Sequence, residues 1–141
     1  MYLIFMATNE KVIGLAQREI ISTIVSSYSG PNTALAAYKG VLRTCTQHPI
    51  YVAGCESFCN YMDALNDRHV LNGEWNSKTK EEFSIKVKIE DSQRKEGQSE
   101  LVFPESMGYH HKDTISKVID QMIAEGSLGM TPVNGGKPRP W

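Results

Sequence analysis

Residues 83–89 carry the pattern that most constrains the fold of this chain, because apolar and polar side chains alternate there without interruption. The apolar members of the alternation are Phe83, Ile85, Val87 and Ile89. Successive side chains of a β-strand point to opposite faces, so a period of two is typical of a strand with one buried face. The pattern therefore predicts a strand whose wet face carries Lys86 and Lys88.

Three further apolar runs favour strands, and one turn signal favours a hairpin. The runs are residues 2–6, 50–54 and 101–103. Asn72 and Gly73 lie between apolar residues within the segment 70–75, and Asn-Gly is the strongest short-range hairpin signal. We therefore expect a small, mainly antiparallel sheet that includes a polar β-hairpin.

Apolar residues at three- and four-residue steps predict about four helices. They cover approximately residues 9–27, 33–48, 55–65 and 114–125, and Gly126 suits the position that follows the last of them. Helices and strands are partly segregated along the chain, which favours an α+β fold. The sequence predicts one α+β domain over residues 1–130, followed by a Pro/Gly-rich tail over residues 131–141.

Charge and cysteine content narrow the class of protein. The 141 residues include 15 basic and 16 acidic side chains, whereas a dedicated nucleic-acid binder usually carries a basic excess. Three cysteines are too few for a disulfide framework, and they favour the reduced thiols of a cytoplasmic protein. No apolar run approaches the roughly 20 residues of a membrane span, so we expect no membrane association.

Cys45, His48, Cys55 and Cys59 form the one local group with the chemistry of a metal site. Three thiols and an imidazole can bind zinc tetrahedrally. However, structural zinc sites more often use Cys-x₂-Cys pairs, and Cys55 and Cys59 fall on the apolar stripe of their helix. A free cysteine in that position packs as a small hydrophobe. We therefore expect no cofactor, with zinc as the alternative.

His110 and His111 precede the last predicted helix. An imidazole at a helix N-terminus can donate a hydrogen bond to a phosphate or carboxylate. The alternative is that both are solvent-facing histidines of an ordinary loop. The sequence leaves the two interpretations open.

Aromatic and basic groups at the ends of elements suggest contact with another protein. Trp75 follows the predicted hairpin turn, and an exposed tryptophan there suits an interface. The tail carries Lys137, Arg139 and Trp141, which suits docking into a groove on a neighbour. A disordered end is the alternative for a terminus rich in proline and glycine.

Motifs for phosphate, metalloprotease, hydrolase or dinucleotide chemistry are absent from the sequence. We therefore expect a non-enzymatic binding module that acts by protein–protein contact or ligand sequestration, with a protein partner and as a homo-oligomer. Small, charge-balanced chains of this kind are common among accessory or inhibitor proteins of phages and mobile elements. One alternative is nucleic-acid binding through Lys86 and Lys88 of the hairpin. The other is a small enzyme that uses a cysteine or histidine.

Overall fold

The computed structural model describes residues 2–45, 55–93 and 110–128, with the side chains of 13–44, 55–93 and 110–128. The elements in these ranges are α1 (Tyr2–Ser27), a 3₁₀ turn (Pro31–Thr33), α2 (Ala34–Cys45), α3 (Cys55–Asp67), α4 (Ser77–Ser92) and α5 (Lys112–Glu125). All of them are helical, and these ranges contain no strand and no sheet. The α+β prediction is therefore wrong, because this part of the chain is all-helical.

The helices pack in a ring, in the order α1, α2, α4, α3, α5. Helix α1 contacts α2 and α5, α3 contacts α4 and α5, and α2 contacts α4. Ion pairs at the surface join neighbours around the ring: Arg18–Glu125, Lys39–Glu90, Lys80–Asp63 and Lys112–Asp67. Exposed pairs of this kind each contribute little, about 0–1 kcal/mol, so the buried core must hold the ring together.

Aromatic side chains from α2, α3 and α4, from Tyr28 directly after α1 and from the α3–α4 connection meet in that core. The ring centroids of Tyr38, Phe58 and Phe83 lie 5.0 to 5.4 Å apart, mostly in edge-to-face geometry. Trp75 extends the cluster, with its centroid 6.1 Å from Phe83 and 6.2 Å from Tyr28. Such pairs add about 0.5–1.5 kcal/mol each beyond the area that they bury. The cluster therefore links α1, α2, α3 and α4.

Residues 83–89 lie within α4, which begins with a capping box. The Asn76 side-chain oxygen accepts hydrogen bonds from the backbone N–H groups of Lys78 and Thr79, at 3.0 and 3.1 Å. In return the Thr79 hydroxyl accepts from the Asn76 backbone N–H at 2.7 Å. This reciprocal pairing satisfies backbone donors that have no partner inside the helix, and it fixes the start of α4.

The alternation in residues 83–89 becomes two separate rows on the helix. Residues four apart share a helix face, whereas residues two apart lie on nearly opposite faces. Phe83 and Val87 are buried, and Ile85 and Ile89 are half-exposed. The predicted strand is wrong because its period of two also describes a helix with one apolar row inside and another outside.

The structure contradicts some of the other strand predictions, and the rest fall on residues that it does not describe. Residues 2–6 belong to α1, because a short apolar run alone does not distinguish a strand from a helix. Residues 70–75 connect α3 to α4 without pairing as a hairpin, so that prediction is wrong as well. Residues 50–54, residues 101–103 and the tail 131–141 lie outside the described ranges, and the domain boundary at residue 130 stays a prediction.

Gly73 adopts a backbone conformation that only glycine tolerates easily, with φ of 152°. A Cβ atom on Gly73 would lie 2.6 Å from the backbone nitrogen of Gly30 and 2.7 Å from its Cα. The Asn-Gly signal therefore marks a close approach of two backbone segments rather than a hairpin turn.

Within the ranges given above, no helix combines the length and the apolar character needed to cross a membrane.

Candidate functional site

The outer side of α4 is the most unusual surface of the described bundle. Only Thr79, Phe83 and Val87 of this 16-residue helix are buried, and nine of its residues are exposed. Ile85 and Ile89 are 50% and 49% exposed, and Leu15 on α1 is the one other exposed large hydrophobic residue among the described side chains. We call this region the α4 surface; it comprises Glu81, Glu82, Ile85, Lys86, Lys88 and Ile89.

The two isoleucines of the α4 surface are only half-buried, so packing in the bundle accounts for part of their apolar surface and leaves the rest exposed. They are one helical turn apart, so their side chains are neighbours and form a single apolar strip. Isoleucine lowers helix propensity relative to lysine or glutamate, which fill most of the rest of this face. A strip of this kind is therefore a better candidate for intermolecular contact than for folding.

Charges of opposite sign flank the apolar strip. Glu81 and Glu82 precede Ile85, and Lys86 and Lys88 follow it; all four charged side chains are exposed. The lysines predicted as binding residues therefore lie on a helix, not on the wet face of a strand. Their charge is balanced by the two carboxylates on the same surface, so the α4 surface is not a basic patch.

Cys55 and Cys59 form a pair of thiols at the start of α3. Cys55 is the first residue of the helix and is partly exposed, whereas Cys59 is 6% exposed in the core. A hydrogen bond from the Cys59 thiol lowers the pKa of Cys55, and the Ser84 hydroxyl adds to this effect while partial burial opposes it. The same thiol–thiol hydrogen bond, together with burial, raises the pKa of Cys59.

The structure brings together only part of the predicted zinc group. Cys45 ends α2, but its side chain and the whole of His48 lie outside the described residues. Among the side chains that the structure describes, no three histidine, cysteine or acidic residues converge as metal ligands. The zinc alternative therefore stays a prediction.

Trp75 is 4% exposed and serves the core rather than an exposed interface. Its indole N–H donates to one carboxylate oxygen of Asp63 at 2.9 Å. The ammonium group of Lys80 donates to the other carboxylate oxygen at 3.0 Å. The sequence places Trp75 at an exposed turn, but the 70–75 connection forms no hairpin and packs against the α1–α2 connection, where Trp75 meets Tyr28 and Gly73 meets Gly30.

The two adjacent histidines have different environments. His110 is 2% exposed, and its Nδ1 lies 3.2 Å from the hydroxyl of Tyr61, so it is not a solvent-facing loop residue. His111 is exposed and caps α5, because its Nδ1 accepts a hydrogen bond from the Asp113 backbone N–H at 3.3 Å. The structure does not bring them together as a pair of donors to one anion. Lys137, Arg139 and Trp141 lie outside the described residues.

A shallow groove of about 350 Å³ runs along α1 near the end of α2. It is lined by Leu15, Arg18, Glu19, Ser22, Thr23 and Thr44. The Arg18 guanidinium forms two hydrogen bonds to the Glu125 carboxylate, at 2.8 and 2.9 Å, and this pairing raises the pKa of Arg18. The groove therefore has a mixed polar and apolar lining, and its arginine is already paired with Glu125.

Ile85 and Ile89 are the candidate residues that the sequence interpretation assigned to the wrong role, because it placed them in a buried row. The signal that identifies them is local. Asn76 is a favoured helix N-cap, and the run of lysine and glutamate over residues 78–82 has high helix propensity. Read as a helix, residues 83–89 place one apolar row inside and the other outside.

Comparisons of the chain with protein-family models, with curated proteins and with solved structures give no match.

Proposed function

We propose that the protein is a non-enzymatic binding module that acts by protein–protein contact through the α4 surface. The observation that carries the proposal is the pair of half-exposed isoleucines on the outer side of a helix that already has a buried row. Apolar anchors at i and i+4, projecting from one helix face, are the usual means by which a helix docks against another protein surface.

A second copy of the chain is the partner that best fits the charges. When two α4 helices pack antiparallel with the two Ile85 residues at the twofold axis, facing residues lie on the same side of the contact and have positions that sum to about 170. Glu81 then faces Lys88 of the second copy, and by symmetry Lys88 faces Glu81. Glu82 faces Ile89, whose apolar surface the glutamate methylenes can cover. The α4 surface is therefore complementary to itself in this orientation.

The length of α4 limits the area that the contact can bury. A 16-residue helix is about 24 Å long, and a contact limited to one such helix per copy falls at the small end of specific interfaces, below about 1,200 Å² in total. Interfaces of this size are weak and transient. We therefore expect a dimer with a dissociation constant in the micromolar range or above, near −8 kcal/mol or weaker.

Sedimentation velocity over a range of protein concentrations tests the proposal. The wild-type chain is expected to shift from monomer toward dimer as concentration rises. The double variant Ile85→Gln, Ile89→Gln should stay monomeric, because glutamine keeps helix propensity and charge while it removes the apolar strip. Leu15→Gln is the matched control, since it removes an equally exposed apolar residue from a different helix.

Two results would contradict the proposal. One is a wild-type chain that remains a monomer at the highest concentration reached. The other is self-association that Leu15→Gln weakens as much as the α4 double variant does. Circular dichroism of each variant checks that helix content is unchanged.

The balanced charges of the α4 surface do not favour the nucleic-acid alternative. Two glutamates on the surface would repel the phosphates that Lys86 and Lys88 attract. Binding to phosphate backbones weakens steeply with salt, so a titration at two salt concentrations distinguishes that alternative from protein contact.

A further inference from the structure

Cys59 belongs to the hydrophobic core, and Cys55 packs against that core from the start of α3. The two thiols lie one turn apart on α3, with one of them partly exposed and the other buried. We propose that Cys55 and Cys59 form a redox-active dithiol that exchanges with small-molecule disulfides. The first is the attacking thiol and the second is the resolving thiol.

The exchange occurs in two steps. The Cys55 thiolate attacks one sulfur of the small disulfide, which forms a mixed disulfide on Cys55 and releases one small thiolate. The Cys59 thiol then loses its proton to solvent and attacks the Cys55 sulfur, which forms the Cys55–Cys59 disulfide and releases the second thiolate. The protein dithiol is oxidised by two electrons, and the small disulfide is reduced to two thiols.

Exposure and position make Cys55 the attacking residue. It lies at the N-terminus of α3, where the helix dipole stabilises a thiolate. The hydrogen bonds from Cys59 and Ser84 also lower the pKa of Cys55. Burial and the nearby carboxylates of Asp91 and Glu56 raise it, but the lowering effects are larger.

Cys59 is suited to the second step only. It is buried, and the hydrogen bond to Cys55 together with this burial raises its pKa. The charge of Lys80 lowers that pKa, whereas the charge of Asp63 raises it. A buried thiol of this kind reacts slowly with an external disulfide. It becomes an effective nucleophile when the mixed disulfide places a sulfur atom next to it.

The disulfide requires a local change in α3. Cβ atoms four residues apart on a helix are about 5–6 Å apart, whereas a disulfide needs about 3.5–4.5 Å. Because Cys55 is the first residue of α3, only the first turn has to open. The product is therefore strained and easily reduced, as expected of a reversible disulfide rather than a structural one.

Single-cysteine variants test the order of attack. All proteins carry Cys45→Ser, are treated with a chelator, and are then exposed to oxidised glutathione before mass spectrometry. With Cys59→Ser added, the remaining Cys55 is expected to gain one glutathione at least about tenfold faster than Cys59 does in the Cys55→Ser protein. In denaturant this difference should disappear, because it depends on the fold.

The protein with both Cys55 and Cys59 tests the second step. It should lose two hydrogen atoms in mass without retaining glutathione, and a mild dithiol reductant should reverse the change. The proposal is overturned if Cys59 alone reacts as fast as Cys55 alone in the folded protein. It is also overturned if the two-cysteine protein stops at a stable mixed disulfide. Circular dichroism of the single-cysteine proteins shows that both reactions are measured on folded molecules.

Discussion

Alanine substitutions in the buried row of α4 should reduce the free energy of unfolding much more than alanine substitutions in its half-exposed row. Phe83→Ala removes a core aromatic ring that contacts Tyr38 and Phe58, which costs about 3–5 kcal/mol of folding free energy. Val87→Ala removes a smaller buried side chain and costs about 2 kcal/mol. A domain is typically stable by about 5–15 kcal/mol, so both losses are readily measured.

Alanine substitutions in the outer row should cost less folding free energy. Ile85 and Ile89 are half-exposed, so replacement by alanine loses about half of the 1.5–3 kcal/mol that full burial of such a side chain contributes, or about 1 kcal/mol. Alanine has the higher helix propensity, which returns about 0.4 kcal/mol. The net cost of Ile85→Ala or Ile89→Ala is therefore about 0.5 kcal/mol.

Urea denaturation followed by far-UV circular dichroism, at low protein concentration to avoid association, measures all four variants. A strand would place all four residues on one buried face, so all four substitutions would be costly. A cost for Ile85→Ala equal to that of Val87→Ala would refute the two-row assignment.

Three further predictions concern the α3–α4 connection and the start of α4. Gly73→Ala should destabilise the protein by at least about 3 kcal/mol in thermal unfolding, because the new Cβ meets the Gly30 backbone and φ is unfavourable; an unchanged melting temperature would contradict this. Trp75→Phe should cost about 1–3 kcal/mol in urea denaturation, because the Asp63 carboxylate loses a donor; a neutral result would mean that this hydrogen bond is unimportant. Asn76→Ala should cost about 1 kcal/mol in the same assay, and Asn76→Ser should restore most of it; equal loss in both would argue against a capping role.

Four of the helices were predictable from the sequence because each has one apolar face. The predicted helices at residues 9–27 and 114–125 correspond to α1 and α5, and Gly126 follows α5 in the left-handed conformation expected of it. The spacing of apolar residues also identified α2 and α3. In each case a single buried row with a period near 3.6 determines the secondary structure.

Helix α4 was not recognised because it has two apolar rows. The inner pair Phe83 and Val87 and the outer pair Ile85 and Ile89 interleave in the sequence as a perfect alternation. The pattern of hydrophobicity alone favours a strand, whereas the Asn76 cap and the lysine- and glutamate-rich first turns favour a helix. The candidate site was missed for the same reason, since a strand interpretation buries the residues that the helix exposes.

Tertiary packing explains the remaining differences between the predicted and the observed exposure of side chains. Trp75 is buried because it packs against Tyr28 and Phe83, which are distant in sequence or on another element, and no local signal indicates these contacts. His110 is buried against Tyr61, a residue 49 positions earlier in the chain. The Cys55–Cys59 spacing was visible in the sequence, but the difference in exposure between the two thiols depends on how α3 packs.

A charge-exchange experiment on the α4 surface tests the central claim most directly. Sedimentation velocity would compare the wild type with Glu81→Lys, Lys88→Glu and the double variant that carries both. Each single variant places like charges opposite each other across the antiparallel contact and should weaken self-association, whereas the double variant restores opposite charges and should recover it. Failure of the double variant to recover association, with its helix content intact, would contradict the antiparallel pairing of α4 surfaces.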